Sequence, residues 1–313
     1  MATRRQKVSK KKNRKKKKSS RIINVILVLM LLSGLSLLLY PTFADWWNSM
    51  HQAKAIASYV QAVSDMSEEE NERLWKEAEE YNKEHAERGN SFDITQKERE
   101  EYKKILNVTG NGIMGYISIP KIKIELPIYH GTSDKVLQVA IGHLAGTSLP
   151  VGGKSTHCVV SGHRGLPSAR LFTDIDKLVE RDTFTITVLD RTMTYEVDQI
   201  RTVLPQEVQD LQIEEGKDYV TLVTCTPYGI NTHRLLVRGH RIPNKADDMR
   251  ISADALKIDP LFVAPGIAAF ILGVLLLWMI LNTRSRRKAE KFKKQYEEQY
   301  DIHYDDDSLE RGE

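Results

Sequence analysis

The 313-residue chain has only 2 cysteines, so neither a disulfide-rich scaffold nor a thiolate zinc cluster is open to it. It also lacks a Gly-rich phosphate loop, internal repeats and clustered histidine spacing of the zinc-binding kind. No metal or other cofactor is therefore expected. Net charge is scarce too, +4 from 46 basic and 42 acidic residues, but this near-neutrality conceals an uneven distribution. Residues 1–21 hold 12 Lys or Arg and no acid, residues 283–313 hold 8 basic and 9 acidic, and the stretch between carries a net −7. With 41% hydrophobic residues, a disordered chain is excluded.

Two long apolar runs contain no charge, Ile22–Tyr40 and Pro260–Asn282. Each has about the 20 residues a helix needs to cross hydrocarbon. The first has a long basic flank and only a weak small-residue cleavage site at Thr42-Phe43-Ala44, which favours an uncleaved anchor over a signal peptide. Basic clusters precede the first run (Lys15–Lys18, Arg21) and follow the second (Arg284, Arg286, Arg287, Lys288). Such flanks stay in the cytoplasm. The expected topology therefore has both termini inside, 41–259 outside, and a Lys-rich start that contacts anionic lipid rather than nucleic acid.

From Asp45 to about Asn107 the composition is helical and charged, with Trp46, Trp47, Ile56, Val60 and Val63 near helical spacing. Ser67–Glu70 and Thr95–Glu98 fit capping boxes. A helical extension or stalk is expected here. After Gly110-Asn111-Gly112 the pattern becomes short β-rich runs: 115–119, 124–129, 157–161, 183–189, 192–200, 219–224 and 235–238. Short helices are expected at 133–141 and 168–178. Seven or eight short strands in so few residues suggest a closed barrel or sandwich, mainly β. The expected order is thus a basic tail (1–21), a span (22–40), a helical extension (41–107), a β-barrel (108–243), a linker (244–259), a second span (260–282) and a cytoplasmic tail (283–313).

The two cysteines have different surroundings. Cys158 lies in the apolar run Cys158-Val159-Val160 and reads as a small buried residue, whereas Cys225 ends a strand before the turn Thr226-Pro227-Tyr228-Gly229. A disulfide is the first thought for an exported pair, but a strand-end thiol with a loop behind it is placed where substrate reaches it. A nucleophilic thiol needs a proton partner, usually histidine. His163, in Ser161-Gly162-His163-Arg164-Gly165, follows an apolar strand and sits between glycines. His130, His143, His157, His233 and His240 each read better as structural. Arg234 lies nine residues after Cys225, where a hairpin brings the two side by side; it suits an oxyanion donor and equally an ordinary surface ion pair.

These residues resemble the sortase family. Thr221-Leu222-Val223-Thr224-Cys225 is similar to the sortase TLxTC motif, with Ser161-Gly162-His163 and Arg234 matching the other catalytic elements. The segments 112–117, 126–131, 143–150 and 226–235 resemble class C, the pilin-polymerising sortases, across about 106–242. The resemblance implies an eight-stranded closed barrel flanked by the two membrane helices. It implies Cys225 as nucleophile toward the Thr–Gly bond of an LPxTG-like signal, His163 as general acid then base, Arg234 as oxyanion and backbone holder, and Thr224 beside substrate. The implied partners are pilin subunits, whose lysine amine resolves the thioacyl enzyme, other LPxTG-bearing secreted proteins, and membrane lipid. Anchoring of proteins to peptidoglycan, or a non-catalytic assembly module, are the alternatives.

Class C sortases usually cover the groove with a lid carrying an Asp-Pro-aromatic motif. The only Asp-Pro here is Asp259-Pro260, at the second apolar run. The segment 88–97 instead offers Phe92-Asp93-Ile94, which either does the same work in altered order or leaves the groove without a lid.

Overall fold

A computed structural model describes residues 2–244, together with the helical positions Leu272, Gly273, Phe292, Gln295 and Tyr296. Nearly all of the expected linker, second span and C-terminal tail lies outside the described residues. The chain divides into two units, Met1–Ala255 and Leu256–Glu313, and the first holds the N-terminal helices and every strand described.

Eight strands close into a barrel: β1 (Ile113–Ile119), β2 (Ile124–His130), β3 (Ile141–His143), β4 (Thr156–Ser161), β5 (Thr183–Val188), β6 (Arg191–Val203), β7 (Asp218–Thr226) and β8 (His233–Ile242). Their order around the wall is β1-β2-β3-β4-β7-β8-β6-β5. The β2–β3 and β4–β7 pairs are parallel, and all others antiparallel. Closure gives every strand a neighbour on both sides. Inward positions such as Ile117, Ile128, Cys158, Val160, Phe184, Tyr195, Val220 and Leu222 form one buried cluster. Gly115 is required where β1 meets β5: a Cβ there would lie 2.5 Å from the Thr187 carbonyl oxygen.

The N-terminal helices pack directly on this barrel rather than standing off as a stalk. Helix α1 (Ala2–Ser64) runs unbroken through Pro41, and Ile26–Ser64 includes a stretch long and apolar enough to cross a membrane. Its docked stripe is Gln52, Ile56, Tyr59 and Val63, while Trp47 and Val60 are exposed. Tyr59 is fully buried; its hydroxyl donates to the Met114 carbonyl (3.1 Å) and accepts from Leu189 N–H (2.8 Å). Helix α2 (Glu68–Arg88) starts at the Ser67 cap, whose hydroxyl accepts from Glu70 N–H. It buries Trp75, Ala78 and Asn82. The Asn82 amide exchanges two bonds with the Leu149 backbone, 3.0 and 2.6 Å. Helix α3 (Gln96–Tyr102) opens with the complete Thr95–Glu98 capping box.

Two expected helices shrink. Residues 133–141 give only α4 (Asp134–Leu137), because Ile141–His143 is taken into the barrel as β3. Within 168–178 only Ile175–Lys177 is helical, as a 3-10 turn. The helical spacing of Leu171, Phe172, Ile175 and Leu178 arises because this loop plugs the barrel with buried side chains.

Candidate active site

Residues opposite one another in a sheet project to the same face, and alternate residues of a strand share one. Cys225 is paired with Arg234 across β7–β8, and Val223 with Leu236. In the parallel β4–β7 pair Ser161 matches Val223, and the last backbone bond runs from Gly162 N–H to the Val223 carbonyl, so His163 and Cys225 each follow directly on these adjacent strand ends. Cys225 and Arg234 therefore share one end of the outer face of β7 and β8, and His163 follows the adjacent end of β4. Each is partly exposed. Cys158 pairs with Val220, on the inner face, and is 2% exposed. Burial pushes its thiol well above the ordinary range. Both cysteines are free, so the pair forms no disulfide.

Local packing explains why His163 is held at the strand end. Gly162 N–H donates to the Val223 carbonyl (3.0 Å), and the Thr224 hydroxyl donates to the Gly162 carbonyl (2.7 Å). A Cβ at Gly162 would meet the Phe172 ring at 2.8 Å and Ile141 at 2.9 Å. The His163 carbonyl accepts from Phe172 N–H at 3.2 Å. Thr224, expected beside substrate, is instead 1% exposed, because strand alternation turns it inward from Cys225.

Beside Arg234 lies an apolar floor of Val159, Leu211, Val223 and Leu236, flanked by Leu144 and Val203. It forms a groove of about 310 Å³ with Arg234 and Phe92 on its walls. The Arg234 guanidinium donates to the carbonyls of His233 (3.1 Å) and Asn231 (3.3 Å), and among the described residues it makes no ion pair.

Of the 88–97 segment only Phe92 lines this groove, and the two candidate residues separate. Phe92 lines the apolar groove, whereas Asp93 lines a different, acidic cavity with Glu84, Arg88 and Glu98. The anchor is a residue that the sequence did not single out. Asn90, 7% exposed, donates to the carbonyls of Leu211 (2.6 Å) and His157 (3.2 Å) and pairs with His85 Nε2 (3.0 Å). Ser91 N–H adds a bond to the Gly146 carbonyl at 2.9 Å. A single buried amide in a loop has no periodic signature to reveal it.

His143 and His157 are structural, as each was expected to be when taken individually. His157 donates from Nδ1 to the Gln212 carbonyl (2.8 Å) and accepts the Thr221 hydroxyl at Nε2 (2.7 Å). His143, fully buried, faces the Ser148 carbonyl through Nε2 (2.8 Å) and the Tyr102 hydroxyl through Nδ1 (2.8 Å). The described residues hold no group of His, Cys, Asp or Glu fit for a metal ion.

The chain is similar to proteins of one family. A family model of the sortase domain matches residues 117–242. Sortase C1 from Streptococcus agalactiae is 58% identical, with a TM-score of 0.60 over 61% of this chain and 100% of that one. Sortase C from Streptococcus pneumoniae, whose structure is described as giving insights into catalysis and pilin substrate specificity, is 45% identical, with a TM-score of 0.56 over 62% and 98% of the two chains. Clostridium perfringens sortase C, solved with a C-terminal cell wall sorting motif, is 43% identical, with a TM-score of 0.54 over 61% and 99%. Among curated proteins, sortase A of Bacillus anthracis is 29% identical over 134 residues, which span 43% of this chain and 62% of that relative. The chain is thus a member of the sortase family of cysteine transpeptidases, and its place is with the class C sortases.

Proposed function

We propose that the chain is a membrane-anchored transpeptidase that polymerises pilus subunits. The observation that carries this reading is the pairing of Cys225 with Arg234 across β7–β8, with His163 following the adjacent end of β4 and Arg234 lining an apolar groove. The Leu and Pro side chains of an LPxTG-like signal suit that floor, and the sorting-motif peptide of the C. perfringens structure supports a substrate of this kind.

In the first half-reaction the Cys225 sulfur attacks the Thr carbonyl carbon and the Thr–Gly C–N bond breaks. His163 takes the thiol proton as the sulfur attacks and gives it to the departing amine. The Arg234 fork, free of any carboxylate partner among the described residues, stabilises the oxyanion. In the second half-reaction a pilin lysine amine attacks the thioester carbon, His163 takes its proton, and the C–S bond breaks. An isopeptide link forms and the thiol is restored. Hydrolysis is the side reaction. The acceptor is read as a pilin lysine because of the class C likeness; a cell-wall amine is the competing acceptor.

The apolar stretch within Ile26–Ser64 supports an N-terminal anchor. Basic residues before it and after 260–282 support two spans with both termini in the cytoplasm and the barrel outside. The full chain, in detergent, with an LPxTG-type peptide and a lysine-bearing pilin domain should yield the isopeptide product. Product from cell-wall amines alone would instead favour surface-protein anchoring.

A further inference from the structure

The residue after His163 has a task that the proposed catalytic trio does not cover. The β4–β7 ladder runs to Ser161 opposite Val223, and its last backbone link is Gly162 N–H to the Val223 carbonyl. His163 and Cys225 lie beyond that point, so among the described residues no backbone bond ties their segments together. Two side-chain bonds take over on the opposite face of the same strand ends. The Thr224 hydroxyl holds the Gly162 carbonyl, and Arg164 Nη1 donates to the Thr226 hydroxyl at 3.2 Å. The Arg164 Nη2 group pairs with Asp176, and the guanidinium lies 6.0 Å from the centroid of the Tyr228 ring. That ring packs so closely on Gly165 that a Cβ there would lie 2.9 Å from it. Only 11% of the Arg164 side chain is exposed.

Arg164 therefore grips three things at once: the residue after Cys225, the loop that leads to Arg234, and the 3-10 turn at Asp176. From this we infer that Arg164 is a positioning residue, which sets the spacing of His163 and Cys225 by bridging their strand ends through Thr226 and Asp176. This rests on the reading of those two residues as the catalytic pair. A fork with several donors in one plane is needed for this grip, which a lysine ammonium cannot reproduce. Displacing reacting groups by about 1 Å costs on the order of 10²-fold in rate.

The test uses the full chain in detergent, with a fluorogenic LPxTG-type peptide and an amine acceptor. Arg164→Lys and Thr226→Val should each lower kcat by at least about tenfold, toward the order of 10², with KM nearly unchanged. Thr226→Ser, which keeps the hydroxyl, should retain activity. The double variant Arg164→Lys/Thr226→Val should be no worse than Arg164→Lys alone. Unchanged kcat in both single variants, a rise in KM alone, equal losses in Thr226→Ser and Thr226→Val, or losses that match only the fraction unfolded would overturn the inference. Cys225→Ala separates the two levels: if it stays active, the catalytic reading fails, and if it is inactive while Arg164→Lys is not, only the positioning role fails.

Discussion

Cys225 and Arg234 face each other across the antiparallel β7–β8 ladder, so that the thiol and the guanidinium share the outer face of the barrel. The same ladder turns Thr224 and Leu235 inward. One residue of slip would exchange the two sets, which is why a closed barrel with a packed interior fixes this site so firmly.

The two cysteines should therefore differ sharply toward a thiol reagent. In the native chain, alkylation followed by peptide mass spectrometry should label Cys225 and leave Cys158 unmodified, since Cys158 is buried and its thiol is held protonated by desolvation. Cys225→Ala should abolish native labelling. Denaturation should restore labelling at Cys158.

Replacing Arg234 tests the fork rather than the charge. Arg234→Lys keeps a cation opposite Cys225 but loses planar, paired donors, and should lower kcat by roughly 10²–10³. Steady-state kinetics with the sorting-signal peptide would check this. Retained activity would return Arg234 to a surface role.

The cover over the groove makes a graded prediction. Phe92→Ala should open the groove and raise the rate of Cys225 modification several-fold, because Phe92 forms part of its wall. Asn90→Ala should do the same from a distance: it removes the amide donor from the Leu211 carbonyl, at a cost of about 1–3 kcal/mol, while the His157 carbonyl keeps the Ser148 N–H. Asp93→Ala should change nothing, since Asp93 lines the other cavity. Stopped-flow thiol modification of the three variants separates them. An Asp93 effect equal to that of Phe92 would contradict this arrangement.

Stability should fall on mild acidification. Full burial lowers His143 to about 3 against an ordinary 6.5, and burial lowers His85, His130 and His157 in the same direction. The unfolded chain takes up these protons as pH falls through about 6.5, whereas native His143 does not until about 3. The stabilisation is therefore complete above 6.5 and lost progressively as pH falls toward 3. Each such histidine contributes up to about 1.4 kcal/mol per pH unit. Burial raises Asp218 and Glu125, which oppose the trend only once the pH nears their own titration. Urea unfolding at pH 7.5 and 5.5 should show the drop, with a shallower slope in His143→Gln.

Much of this was legible in the residues themselves. Seven strands declared themselves by β-rich runs between Gly and Pro breaks, and the eighth, Ile141–His143, is too short to show a period. The positions of Cys225, His163 and Arg234 came from strand ends and a hairpin spacing. What stayed hidden was tertiary. Of the helical stripe Trp46, Trp47, Ile56, Val60 and Val63 read from the sequence, Ile56 and Val63 are buried, but Trp47 and Val60 are exposed and Tyr59 is buried beside them, its hydroxyl bonded to two backbone partners on the barrel. Phe92 and Asp93 are neighbours in the chain but serve different cavities, which only the path of the Asn90-anchored loop decides.

Every step of the proposed reaction depends on Cys225 carrying the acyl group. Intact and peptide mass spectrometry of the full chain, quenched soon after mixing with an LPxTG-type peptide, decides whether it does. A thioester adduct is predicted at Cys225 that retains the signal through Thr, disappears when a lysine-bearing pilin domain is added, and is missing in Cys225→Ala. An adduct on Cys158, or peptide cleavage that persists in Cys225→Ala, would contradict the assignment.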